Sequence, residues 1–246
     1  MTKKFRIDFP AEFQQALIRC YCHLGGKKVT RQCENYVYAV RPEDGIHIID
    51  INLQWEKIIL AARAICAIPN PQDIIVCSSR EYGRKAVLRF CEYTGCTPYV
   101  GRFIPGMFTN PQIRKIKEPR LVVVADPFTD KQTVYEAGFV NTPCVAFCNT
   151  DNDLDYVDIA IPMNNRSLNA IGAGFCILAK VVKFMRGEAG LTDNLKFEIE
   201  RYFYRNIAEL EELAAEQEAS KMKQEVDFVE PKENVVQEGE EQAAWG

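Results

Sequence analysis

Between residues 36 and 187 the chain alternates short β-rich runs with stretches of helical periodicity, and this alternation limits the possible folds more than any other feature. Strands joined through helices run parallel, because a parallel connection needs a crossover of about a dozen residues or more, usually a helix. The runs are 36–40, 46–51, 73–79, 97–100, 121–126, 142–149 and 157–162. Ile74-Ile75-Val76-Cys77 and Val122-Val123-Val124 are apolar without interruption, the pattern of central strands covered on both faces.

Helices fill the intervals. Asn52 is placed to cap one that runs to about Ala67, with Leu53, Ile58, Ile59 and Ala62 on one face and Pro69 beyond its end. A second covers 81–92 and stops before Gly95; a third opens at Asp126-Pro127, with Thr129 as its cap, and runs to about Phe139. The longest covers 167–186. Ala170, Gly172, Ala173 and Gly174 suit close packing on a sheet, Lys180, Lys183 and Arg186 suit the negative end of the helix, and Gly187 stops it. A helix over 9–23, with Pro10 in its first turn, precedes the sheet. The expected class is α/β: a doubly wound, mostly parallel sheet flanked by helices, flavodoxin- or Rossmann-like in plan, with a C-terminal acidic helical extension. Residues 195–204 are aromatic-rich, the sequence turns helical and acidic from Ile207, and past Glu225 it loses periodicity, as disordered segments do. The expected division is 1–190 for the α/β domain, 191–224 for the acidic helical extension and 225–246 for a disordered tail.

The net charge of −4 conceals a gradient. Residues 1–120 carry 19 Lys and Arg against 11 Asp and Glu, residues 121–205 carry 8 against 11, and residues 206–246 carry 3 against 12. A basic front and an acidic tail imply different partners at the two ends. No apolar run approaches the roughly 20 residues that span a bilayer, and the polar start is not a secretory signal, so a cytosolic chain is expected. The ten cysteines are then thiols used as small hydrophobes. They contain no C-x-x-C pair, and Cys20, Cys22, His23 and Cys33, the one group with any likeness to a zinc site, fall partly on a helical stretch that does not converge them; no metal is expected.

An open parallel sheet invites a search for phosphate loops. Gly25-Gly26-Lys27-Lys28 precedes the sheet and lacks Walker spacing, and Gly172-x-Gly174 lacks a third glycine and sits inside a helix. His23 and His47, the two histidines, sit at a helix end and in a strand, where structural roles suffice. Asp151, Asp153, Asp155 and Asp158 lack the Gly and Glu that a calcium loop requires, with Tyr156 and Pro162 in their places. No catalytic residue, cofactor or small-molecule substrate is indicated.

The basic residues gather in loops instead. Lys27, Lys28 and Arg31 precede the first strand; Arg80, Arg84 and Lys85 follow the strand ending near Ser79; Arg102 follows the strand ending near Val100, within Gly101-Arg102-Phe103-Ile104-Pro105-Gly106-Met107-Phe108-Thr109-Asn110. Groups at the carboxyl ends of parallel strands bind partners, and arginines there form a rim for phosphates. Charge alone fits an ordinary solvated surface equally well.

Several ordered motifs resolve the ambiguity. Pro42-Glu43-Asp44-Gly45-Ile46-His47-Ile48-Ile49-Asp50-Ile51-Asn52-Leu53-Gln54-Trp55 resembles the strand-and-helix opening of the universal small-subunit ribosomal protein family S-two. Gly101–Asn110 looks like that family's signature loop. Asp126-Pro127, Glu136-Ala137, Cys148-Asn149-Thr150-Asp151 and Val157-Asp158-Ile159-Ala160-Ile161-Pro162 with Asn164-Asn165 follow in the family's order. Leu60-Ala61-Ala62-Arg63-Ala64-Ile65 and Phe203-Tyr204-Arg205 are similar to the eukaryotic, laminin-receptor-like branch, and 50–73 has no room for the helical hairpin of bacterial members. The resemblance spans roughly 10–205. Asp153 and Asp155 make one turn more acidic than usual, the aromatic pair of animal members is missing from the 163–187 helix, and the tail is shorter, with Trp245 in place of repeated acidic tryptophan motifs.

The resemblance implies a structural component of the cytoplasmic small ribosomal subunit, on its solvent side near the head–body junction, supporting late assembly and rRNA maturation. Implied partners are small-subunit rRNA and neighbouring ribosomal proteins, including the eukaryote-specific protein twenty-one family, with no membrane. Lys27, Lys28, Arg31, Arg80, Arg84, Lys85 and Arg102 are the expected phosphate contacts, and Asn110, Asn164 and Asn165 could meet sugars or base edges. Phe197, Tyr202, Phe203 and Tyr204 either anchor a protein neighbour or fold back onto their own domain. A nucleotide-binding enzyme on the same fold and a cell-surface laminin-binding protein are the rival readings.

Overall fold

The computed structural model describes residues 7–113, 116–191, 195–206 and 210–211. It divides into Met1–Tyr204 and Arg205–Gly246. The expected acidic helix from Ile207 and the expected disordered tail 225–246 lie almost wholly outside the described residues.

In chain order the first unit contains α1 (Ala11–Arg19), β1 (Val37–Val40), β2 (His47–Ile49), α2 (Ile51–Ala67), β3 (Ile74–Ser78), α3 (Glu81–Thr94), β4 (Thr97–Val100), β5 (Leu121–Val124), α4 (Lys131–Phe139), β6 (Cys144–Cys148), β7 (Ile159–Pro162), α5 (Leu168–Arg186) and α6 (Leu195–Tyr202). Among the described residues β3 to β7 form one sheet in the order β4-β3-β5-β6-β7, every pair parallel. Numbered within that sheet the order is 2-1-3-4-5, the flavodoxin-like arrangement of the doubly wound class.

The first two expected strands do not join it. β1 and β2 make a separate antiparallel hairpin, Val37 opposite Ile49 and Val40 opposite His47, because the turn between them is too short for a parallel crossover. Two expected caps also move. Asp50, not Asn52, caps α2, its carboxylate accepting the Asn52 N–H at 2.8 Å. Thr129 does not cap α4: its hydroxyl donates to Asp126 instead, at 2.7 Å.

The two sheet faces are covered unequally. Ile74, Val76, Leu121, Val123, Val145, Phe147 and Ile161 face α1, α2, α3 and α5. Phe175 of α5 sets its ring edge-on against Phe147 (4.8 Å) and Phe90 (5.6 Å). The opposite face, Ile75, Cys77, Val122, Val124, Cys144, Ala146 and Cys148, is covered by α4 together with Phe103, Met107 and Phe108 from the loop after β4. That loop replaces a helix over part of the face.

One sequence expectation about membranes needs correction. Among the described residues α5 is long and apolar enough to cross a bilayer by length and composition. It is instead the core helix, with thirteen residues from Ala170 to Val182 buried without a break. Lys180, buried within it, reaches Glu198 of α6 at 2.8 Å, while the Gly187 left-handed cap (φ 78°) closes it. Nine cysteines are buried and Cys66 half-buried. Burial pushes their thiols up, Cys144 and Cys176 to about 12, so they remain neutral packing groups.

Candidate functional site

The carboxyl edge of the sheet gathers the loops after β3, β4, β5, β6 and β7. Between β3 and β5, where successive crossovers leave in opposite directions, a doubly wound sheet normally opens a ligand crevice. Here that position is filled by side chains organised on one carboxylate. Asp126 is 1% exposed. Its Oδ2 accepts from Arg80 Nε (2.8 Å), Arg80 Nη2 (2.6 Å) and the Thr129 hydroxyl (2.7 Å). Its Oδ1 accepts from the Phe128 N–H (3.0 Å), Asn165 Nδ2 (3.0 Å) and Asn152 Nδ2 (3.2 Å). The loops after β3, β5, β6 and β7 are thus tied to a single buried anion.

A second carboxylate lies beside it. Asp130 accepts from the Ser79 backbone N–H at 3.1 Å and from the Ser79 hydroxyl. Burial raises the Asp130 carboxyl to about 6, with Asp126 adding to the rise and the Ser79 hydrogen bonds and Arg80 opposing it. Two buried carboxylates make the crevice hostile to a phosphate, so an anionic ligand has to meet the basic side chains on the outer rim.

The segment before β1 joins the same edge. Gly26 N–H donates to Thr150 Oγ1 (2.8 Å), Thr30 N–H to the Thr150 carbonyl (2.9 Å) and the Thr30 hydroxyl to the Asn152 carbonyl (2.9 Å). Gly25 is required by this approach: a Cβ there would lie 2.6 Å from Thr150 Cγ2 and 2.9 Å from the His47 carbonyl. The glycines that resemble a phosphate loop are therefore a packing device. Around them Lys27, Lys28 and Arg31 are exposed.

The loop after β4 is held from beneath. Glu136, 3% exposed, accepts from Gly106 N–H (2.6 Å), Phe108 N–H (3.3 Å) and Gln132 Nε2 (2.8 Å). Phe103 and Phe108 pack edge-to-face at 4.9 Å. With Phe103, Met107 and Phe108 inside, the loop leaves Arg102, Ile104 and Asn110 exposed, the Asn110 Oδ1 accepting from the Gln112 N–H (3.0 Å).

The expected contacts therefore divide. Lys27, Lys28, Arg31, Arg84 and Arg102 are exposed and Lys85 is half-buried. Arg80 is bound into the Asp126 network, touching Thr129 and the Tyr82 hydroxyl as well, so it positions loops instead of offering a free guanidinium. Asn165 is 1% exposed and its amide nitrogen serves Asp126, the Phe147 carbonyl and Asn152. It has no edge left for RNA. Asn164 donates to the Tyr21 carbonyl and accepts from the Arg166 and Ser167 N–H groups at the entry to α5, which likewise occupies it internally.

Of the aromatic anchors, Tyr202 is 3% exposed and stacks on Tyr93 at 6.1 Å, and Phe203 lies half-buried over Gly172. Both fold back onto their own unit. Tyr204 is half-buried, and the Phe197 side chain lies outside the described residues. Sequence reasoning missed Phe128, 76% exposed beside the Asp126 network. Its position directly after the Asp126-Pro127 step, at the carboxyl end of a central strand, was the available signal.

The acidic turn is a folded connection. Asp151 pairs with Arg166, Asp155 accepts from Gln32 (2.9 Å) and Asp158 accepts the Cys144 N–H (2.8 Å). His47 Nδ1 lies 2.9 Å from the Gly26 carbonyl, in the hairpin contact.

With this geometry in place, similarity to known proteins can be set beside it. A model of the family described as Ribosomal protein S2 matches residues 112–183. Over 211 residues the chain is 47% identical to the small ribosomal subunit protein uS2 of Enterocytozoon bieneusi, covering 86% of this chain and 87% of that protein. It is 46% identical over 219 residues to the uS2 of Candida glabrata, covering 88% and 86%. Against the uS2A of Vanderwaltozyma polyspora it is 44% identical over 246 residues, covering 100% and 96%.

Proposed function

Because the chain belongs to the uS2 family of small ribosomal subunit proteins, and is a structural component of the cytoplasmic small subunit and not an enzyme, we propose that the carboxyl edge of its sheet is the face that binds rRNA. The observation that carries this reading is one arrangement: exposed Lys27, Lys28 and Arg31 on the segment before β1, Arg84 in the first turn of α3 and Arg102 on the loop after β4 stand along one edge whose ligand crevice is filled by the Asp126 network. Long cationic side chains on a rigid rim neutralise phosphates without reading bases, which suits a protein seated on folded RNA. Lys85 adds to this set. Arg80 acts through Asp126, holding the loop ends in place. Phe128 offers an unpaired base a stacking surface beside the rim.

Through these contacts and its protein neighbours, which by family resemblance include the protein twenty-one family, the chain supports late small-subunit assembly and rRNA maturation near the head–body junction. Tyr204, half-buried at the end of its unit, is partly open to a neighbour.

Replacement of Lys27, Lys28 and Arg31 by Glu, alone and with Arg102→Glu, tests the reading. Native lysates are sedimented through gradients at low and high salt, and the chain is followed across the small-subunit peak. Each lost phosphate contact should lower the salt slope of association by about 0.7 to 0.9, so the charge-reversed chains should leave the subunit at lower salt. Unchanged retention at every salt would overturn the RNA face and leave protein interfaces as the sole attachment.

A further inference from the structure

The outer side of α4 and the acidic turn before β7 form one surface that the RNA rim does not use. Lys131 lies over the Tyr135 ring, 5.1 Å from its centroid, and Tyr135 meets Tyr156 at 5.3 Å with the rings perpendicular. One helical turn beyond Tyr135 is Phe139, 71% exposed. The backbone of Tyr156 is left-handed (φ 63°), an uncommon conformation for a tyrosine, and its ring lies over Gly138, where a Cβ would sit 2.9 Å from Cδ1. Fold and sequence thus combine to lay the Tyr156 ring along the helix while leaving it 57% exposed. Asp153 and Asp155 are exposed on the same turn.

Exposed aromatic rings beside exposed carboxylates have a definite complement, and the Lys131 ammonium, held over Tyr135 and within the field of Asp153 and Asp155, is already a cation of that kind. A guanidinium stacks on a ring face and pairs with a carboxylate in a single approach, whereas an RNA phosphate would meet Asp153 and Asp155 head-on. We propose that Tyr135, Phe139 and Tyr156, with Asp153 and Asp155, form a docking surface for an arginine-rich segment of another protein. The charge of the turn decides between the candidate occupants: a basic protein extension is attracted where RNA is repelled. This surface does not depend on the RNA rim, and the two are tested apart.

The full chain is titrated with a fluorescent oligo-arginine peptide, with oligo-lysine of the same length, and with a single-stranded RNA oligomer, all near physiological salt, reading anisotropy. Oligo-arginine should bind more tightly than oligo-lysine. Phe139→Ala, and separately Asp153→Lys with Asp155→Lys, should each weaken oligo-arginine about fivefold to tenfold and should not weaken RNA binding. These positions are exposed, and unchanged thermal melting confirms that the variants fold. Arginine affinity within twofold of the parent in both variants overturns the proposal, because the peptide then sits elsewhere, for example on the acidic C-terminal residues. Equal arginine and lysine affinities overturn the aromatic contribution, and loss of RNA binding in Phe139→Ala reassigns the surface to RNA. Loss of RNA binding in the rim variants alone leaves this surface intact, so failure of one proposal is distinguishable from failure of the other.

Discussion

Replacing Asp126 by Asn is the sharpest probe of the loop network. The two carboxylate oxygens of Asp126 face separate groups of three donors: Arg80 twice and Thr129 on one side, Phe128, Asn152 and Asn165 on the other. An asparagine has one acceptor oxygen, so in either orientation its amide NH2 points at three donors. If the oxygen stays with Phe128, Asn152 and Asn165, the Arg80 guanidinium loses its counter-charge, although the Thr129 hydroxyl can rotate and accept. Removing one partner of a buried pair costs about 3–5 kcal/mol. The Arg80 side chain is 27% exposed and water can partly replace Asp126, which places the expected loss near the lower end, at about 3 kcal/mol. That is a large fraction of a typical domain's stability yet leaves it folded at 25 °C. Urea unfolding followed by circular dichroism measures it, and a cycle with Arg80→Met isolates the coupling, expected at about 2 kcal/mol. A loss below about 1 kcal/mol, or simple additivity with Arg80→Met, would refute the view that this carboxylate ties the loop ends together.

Other outcomes follow from the same geometry. Since burial raises Asp130 to about 6 from the ordinary 3.8, the native state holds this proton more tightly than the unfolded chain. The Asp130 contribution is therefore fully favourable below about pH 4 and is lost as pH rises through about 6, a change of up to about 3 kcal/mol. Asp130→Asn, which keeps an acceptor for Ser79, should remove that slope; a stability difference from the parent that is flat between pH 4 and 7 would contradict it. Glu136→Ala leaves the buried Phe108 N–H and the part-buried Gly106 N–H of the loop after β4 without an acceptor, at about 1–3 kcal/mol for the buried one and less for the other, and hydrogen exchange should quicken at Gly106 and Phe108 while the β6 amides stay protected. Phe128→Ala should leave the melting temperature unchanged and weaken binding of single-stranded RNA by about fivefold or more; equal affinity would remove the stacking role. Gly25→Val should destabilise the hairpin contact, read as lost exchange protection at His47 and Ile49.

Much of the architecture was legible from local pattern. Uninterrupted apolar runs marked β3 and β5, helical spacing and the stops at Gly95 and Gly187 marked α3 and α5, and the motif order pointed to the family. These signals lie within a few residues of one another, because backbone hydrogen bonding and amphipathic periodicity are short-range properties. Partner choice was not legible in the same way. Arg80 and Asp126 are 46 residues apart, Asn165 and Asp126 are 39 apart, and Thr30 reaches Asn152 across 122. An arginine at a strand end reads alike in sequence whether it faces solvent or a buried carboxylate, and an asparagine reads alike whether it reads a base or holds a loop. The sequence by itself determined most of the elements, the parallel sense of β3 to β7 and the lineage. Only tertiary structure decided that β1 and β2 leave the sheet, that the crevice is closed by its own side chains, and which basic residues remain on the rim, since those outcomes depend on which distant groups burial forces to satisfy one another.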